Sequence, residues 1–177
     1  MSMLEEKAAK IKLLILDVDG VMTNGHIMIN DRGEEIKYFN VKDGQGLKLL
    51  IKAGIDVVFV SGRRSKALAY RAEDLGIREV HQGVDDKETL CKKLIQQKRL
   101  KREQVCCMGD DLPDLSMFNQ VGITIAVADA VAEVREAANL VTKNRGGNGA
   151  VREVCEWILK AQKRWPDMIS SFMGEGN

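Results

Sequence analysis

Ile11-Lys12-Leu13-Leu14-Ile15-Leu16-Asp17-Val18-Asp19-Gly20 is the stretch on which the reading of this chain turns. The short apolar run over residues 11–16 predicts a buried strand of a parallel sheet, and it ends abruptly in two carboxylates and a glycine. Two further runs have the same form. Residues 55–60 end at Ser61, and residues 104–108 end at Gly109-Asp110. Shorter strand candidates lie at 121–127 and 140–142. Helical periodicity fills the intervals at 44–53, 65–75, 87–98, 112–119, 130–138 and 150–163. Alternating strand and helix predicts an α/β fold, a Rossmann-like parallel sheet with helices on both faces. One segment breaks the rhythm: residues 26–30 and 34–39 flank Asp31-Arg32-Gly33 and predict a β-hairpin inserted after the first strand.

The 177 residues fit one domain spanning 1–177, with a hairpin flap at about 25–40 and a flexible C-terminal tail at about 166–177, since Pro166 is expected to stop the last helix. With 45% hydrophobic and 30% charged residues and a net charge of +1, the composition is that of a folded globular protein with no bias toward nucleic acid. Residues 1–10 are charged and lack the apolar core of a signal peptide, and no run is long enough for a membrane span. A cytoplasmic protein without a membrane partner is the expectation. Cys91, Cys106, Cys107 and Cys155 form no paired metal or redox spacing and read as reduced core thiols.

In an open parallel sheet, ligands bind at the carboxyl ends of the strands. Asp17, Asp19, Ser61, Asp110 and Asp111 are therefore expected on one edge, although they are far apart in sequence. Carboxylates gathered there would repel one another without a cation, and an all-oxygen donor set suits a hard ion such as Mg2+. Beside a metal, a carboxylate can attack phosphorus, and Asp17 fits that nucleophilic role. Asp19 would protonate the leaving alcohol and then activate water. Ser61 and Gly62 would hold phosphate oxygens, Lys87 would place positive charge on the transferring group, and Asp110 would complete the metal site. Asp111 and Asp114 would orient water or Lys87. His26 and His81 belong to no motif and read as structural or surface residues.

These residues resemble, in order, the four motifs of the haloacid-dehalogenase superfamily: Asp17-Val18-Asp19-Gly20-Val21-Met22-Thr23, Ser61-Gly62-Arg63, Lys87, and Gly109-Asp110-Asp111-Leu112-Pro113-Asp114. The resemblance implies Mg2+ held by Asp17, the Asp19 main-chain carbonyl and Asp110. The hairpin is the only insertion, so the chain is similar to the capless subclass. With Val41-Lys42-Asp43-Gly44, Gln82-Gly83 and the stretch from Arg145 to Glu153, it resembles the phosphatases of 3-deoxy-D-manno-octulosonate (KDO) 8-phosphate. That family resemblance implies a sugar-acid phosphate substrate of lipopolysaccharide biosynthesis, with Arg63 and Arg71 facing its carboxylate. It also implies a homotetramer built through the hairpin, and a mobile Gly146-Gly147-Asn148-Gly149 tail that closes over substrate. Asn24 and Asn148 depart from the family's usual residues, and Asn148 weakens the carry-over of tail contacts. Three other readings stay open: a phosphatase for a nine-carbon keto-deoxy sugar acid 9-phosphate, a non-enzymatic receiver-like domain, and an inactive scaffold. A receiver, however, has no counterpart of the acid–base Asp19.

Overall fold

The computed structural model describes residues 2–173. In chain order it comprises α1 (Met3–Ala8), β1 (Leu13–Asp17), β2 (Met28–Ile29), β3 (Glu35–Ile36), α2 (Val41–Lys52), β4 (Asp56–Ser61), α3 (Lys66–Leu75) and β5 (Glu79–Gln82). It continues with α4 (Lys87–Gln97), β6 (Val105–Gly109), a 3-10 turn (Leu112–Asp114), α5 (Leu115–Phe118), β7 (Ile123–Ala126), α6 (Ala132–Ala137), β8 (Leu140–Val141), α7 (Ala150–Ala161) and α8 (Trp165–Met173). Six strands form one parallel sheet in the order β5-β4-β1-β6-β7-β8. The α/β fold expected from the sequence is the one observed.

Strand β1 lies in the middle, buried along its whole length, with β4 on one side and β6 on the other. The chain runs outward from β1 to β4 and β5, then crosses back to β6. This reversal beside β1 opens a crevice at the carboxyl ends of the strands. Register does the rest. Asp17 pairs with Val60, so Ser61 lies one residue beyond. Leu16 pairs with Met108, which brings Gly109 level with Asp17 and Asp110 just past it. Helices α1, α2 and α8 pack on α7, while α5 packs on α4 and α6. All four cysteines are free and buried, as expected for core thiols. No helix among the described residues is long and apolar enough to cross a membrane.

Two local expectations need correction, and two segments gain detail. Within the charged residues 1–10, Ser2 and Glu5 form a capping box that starts α1. The expected hairpin is present, pairing Met28 with Ile36 and Ile29 with Glu35, and the Asn30 side chain holds its turn by accepting the Arg32 and Glu34 amides. The helix expected over 112–119 is split into a 3-10 turn and α5, since Asp111 caps it and Pro113 sits in the first turn. Pro166 does not end the helical region. It occupies the first turn of α8, where its missing N–H costs nothing. Arg152 and Lys160 lie over the Trp165 ring, 5.4 and 5.3 Å from its centroid, and join α8 to α7. The rest of the expected flexible tail, 174–177, lies outside the described residues.

Candidate active site

Asp17 ends β1 inside the core, and the chain must turn sharply after it. The Met22 and Thr23 amides bond back to the Val18 carbonyl at 2.9 and 3.1 Å, and Thr23 Oγ1 accepts from the Gly20 amide at 3.2 Å. Gly20 has φ +105°, and a Cβ there would meet Asp110 Oδ2 at 2.0 Å. Only glycine lets this loop approach the Asp110 carboxylate so closely.

Lys87 is the first residue of α4, whose N-terminus is capped by the Asp86 side chain on the Thr89 amide. Its buried Nζ donates to Asp17 Oδ1 at 2.6 Å and Asp114 Oδ1 at 2.7 Å. Asp114 Oδ2 accepts from the Asp110 and Asp111 amides at 2.9 and 3.3 Å. Asp114 therefore does more than support the site: it is the hub that fixes both Lys87 and the Asp110 loop. Asp111 turns its carboxylate to the Leu112 amide and serves as a cap.

Carboxylate oxygens of Asp17, Asp110 and Asp114 lie within 4.8 Å of one another. Three carboxylates thus face one ammonium, leaving two negative charges without a partner if all ionise. Burial, helped by Asp114 and only partly opposed by Lys87, holds Asp17 well above the usual carboxylate range. Burial together with Asp114 and Asp111 pushes Asp110 up to about 7. Burial alone would lower Lys87, but Asp17 and Asp114 outweigh it and keep the ammonium charged. The two sides of the pair differ in direction because one cation serves two buried anions. This excess of negative charge fits a divalent cation on the Asp17 oxygen that Lys87 leaves free and on the Asp110 carboxylate. Proton and cation then compete for Asp110 as pH falls through about 7. Without the cation, a carboxyl group raised in this way costs stability as pH rises through the same range.

The Asp19 side chain takes no part in that cluster. It bonds to Lys37 Nζ and accepts from Ser61 Oγ at 3.2 Å. Ser61 Oγ also accepts the Arg63 amide at 3.1 Å. Arg63 reaches the hairpin and donates to Glu35 Oε2 at 2.6 Å, while Lys37 pairs with Glu35 Oε1 at 2.8 Å. Burial opposes it, but Arg63 and Lys37 bring Glu35 down to about 2. Asp19 and Glu35 likewise raise Lys37 against its own burial. Asp17, Asp19, Ser61, Gly62, Arg63 and Lys87 all line one cleft, together with Asp110, Asp111 and Asp114. Its volume of about 710 Å³ is ample for a sugar phosphate. Arg71 does not line it. Its guanidinium sits over Phe39, bonds to Asp74 and the Asn40 carbonyl, and fills the space that a Gly44 side chain would need.

Sequence reasoning missed Glu35 and Lys37, although their alternation with Ile36 and Tyr38 places them on one face of the hairpin. It also missed Asp43. This fully buried carboxylate caps α7 by accepting the Gly149 and Arg152 amides at 3.1 and 2.7 Å. Within the Gly146-Gly147-Asn148-Gly149 stretch, Gly146 and Gly147 pack against the loop after β1. The Gly147 amide bonds to the Val21 carbonyl at 2.9 Å, and a Cβ on Gly146 would lie 1.6 Å from the Gly20 carbonyl oxygen.

A family profile described as haloacid dehalogenase-like hydrolase matches residues 77–154. Over 159 residues the chain is 48% identical to the 3-deoxy-D-manno-octulosonate 8-phosphate phosphatase KdsC of Yersinia pestis, covering 90% of this chain and 85% of that one. The chain belongs to this phosphatase family. Among solved KDO 8-phosphate phosphatases, that of Moraxella catarrhalis, in complex with magnesium, phosphate and KDO, superposes with a TM-score of 0.94 at 41% identity, covering 97% of this chain and 99% of that one. The cobalt-bound KDO 8-phosphate phosphatase of Haemophilus influenzae gives 0.90 at 42% identity, covering 94% and 99%.

Proposed function

We propose that this protein is a magnesium-dependent phosphatase that hydrolyses KDO 8-phosphate to KDO and phosphate through a phosphoryl-Asp17 intermediate. The observation that carries this reading is the buried Asp17 carboxylate beside Asp110, held at the strand end by Lys87. Asp17, Asp110 and the Asp19 main-chain carbonyl would hold Mg2+, which would supply the positive charge that lets a carboxylate meet a phosphate dianion.

The chain's own residues do the rest. A carboxylate oxygen of Asp17 bonds to phosphorus as the ester P–O bond breaks, and Asp19 gives its proton to the departing alcohol oxygen. Asp19 then takes a proton from water as the water oxygen bonds to phosphorus, and the P–O bond to Asp17 breaks. Ser61, the Gly62 backbone and Lys87 hold the phosphoryl oxygens. Arg63, half-exposed at the cleft mouth, suits the substrate carboxylate.

Phosphate release with Mg2+ across a panel of eight-carbon, nine-carbon and simpler sugar phosphates tests the assignment. KDO 8-phosphate should turn over fastest, and a chelator should stop it. Faster turnover of the nine-carbon 9-phosphate would reassign the substrate, and no release from any ester would favour the scaffold reading. The finer expectation of a homotetramer is supported by the hairpin, where Ile27, Met28, Ile29, Ile36 and Tyr38 are all exposed, apolar side chains that further copies could cover. Light scattering at assay concentration should give four times the chain mass; a monomer would refute it.

A further inference from the structure

Hairpin side chains alternate between two environments. Ile36 and Tyr38 are exposed, whereas the Lys37 side chain between them is only 3% exposed, with its ammonium against Asp19 and Glu35. A two-residue antiparallel pairing is a weak anchor by itself, and an apolar side chain would secure it at lower desolvation cost than a lysine. A buried ammonium is retained where its charge and donors are used. Here Lys37 and Ser61 hold Asp19 from its two sides, one on each carboxylate oxygen. Each oxygen keeps a second lone pair for the leaving group or for water. Glu35 takes Lys37 on Oε1 and Arg63 on Oε2, so one carboxylate ties the acid–base residue to the arginine at the cleft mouth.

Resting on the phosphatase reading above, we propose that Lys37 is a positioning residue for catalysis: the hairpin delivers it to fix the Asp19 carboxyl group where the leaving oxygen and the hydrolytic water meet it. Glu35 positions Lys37 and Arg63 together, coupling acid–base geometry to recognition of the substrate carboxylate.

The test compares esters that differ in their need for proton donation. An aryl phosphate such as p-nitrophenyl phosphate leaves without it, whereas a sugar alkoxide does not. In Lys37→Met, first-turnover release of p-nitrophenol should stay within about threefold of the unaltered protein, while release of KDO from its 8-phosphate should slow by about 100-fold, the scale of a positioned general acid. The loss should fall on kcat, with Lys37→Arg restoring part of it. Glu35→Gln should show the same dependence on leaving group, more weakly, and should also raise KM for the sugar acid through Arg63. It carries the test if Lys37→Met fails to fold. Equal losses on both esters, or none on either, would overturn the positioning role while leaving the phosphatase assignment intact. Failure of the unaltered protein to hydrolyse either ester would overturn the assignment itself.

Discussion

Asp17→Asn is expected to lower turnover by at least about 10⁴-fold while leaving the fold intact, because the amide keeps the volume of the side chain but cannot attack phosphorus. A simple loss of structure would look different. The carboxylate is buried and raised well above its usual range, so in the metal-free protein its charge is costly. Replacing it with a neutral group should leave metal-free melting unchanged or slightly higher. Magnesium, which should stabilise the unaltered protein by binding only the folded state, should do so much less in the variant. Near-normal turnover in Asp17→Asn would exclude the covalent mechanism, and a collapse in melting temperature would mean that the residue is primarily structural.

The second large effect is expected at Lys87, where Lys87→Met should destabilise the metal-free protein and cripple catalysis together. Removing one partner of a buried ion pair typically costs about 3–5 kcal/mol. Here the ammonium serves both Asp17 and Asp114, each within 2.7 Å. Protonation of the stranded carboxylates limits the damage, so a value near the lower end, or roughly 10 °C in melting temperature, is expected at neutral pH. The sign with pH follows from the same point. Without Lys87 the folded-state pKa values of the carboxyl groups rise further, so the deficit should grow as pH rises and shrink toward pH ~5. Differential scanning calorimetry of both proteins across that range would check it. A deficit independent of pH would point to lost packing rather than lost charge.

Where the sequence was legible, the reason was local. The β1 run ends in candidate site residues, so identifying the strand also located Asp17; the ends of β4 and β6 located Ser61 and Asp110 in the same way. The chemistry expected of Lys87 required only that α4 begin there. Contacts made across long intervals were not legible. Asp43 caps a helix that starts more than a hundred residues later, and periodicity cannot signal such a partner. Nothing in the hairpin sequence marks Lys37 as a partner of Asp19, toward which the fold turns it. Arg71 is a candidate from the resemblance alone, and its guanidinium lies over Phe39 and against Gly44. Pro166 misled because the same residue that breaks a helix interior is tolerated at a helix start.

The wedge of Gly146 against the Gly20 carbonyl bears on the order in which this molecule can be assembled. The loop holding Asp17 leaves the ribosome well before its seat, which is not complete until residues 146–149 have emerged and α7 has docked. A nascent chain can therefore pair its strands before it can present a finished nucleophile. Competence for chemistry therefore waits on a segment made long after the strand that carries Asp17.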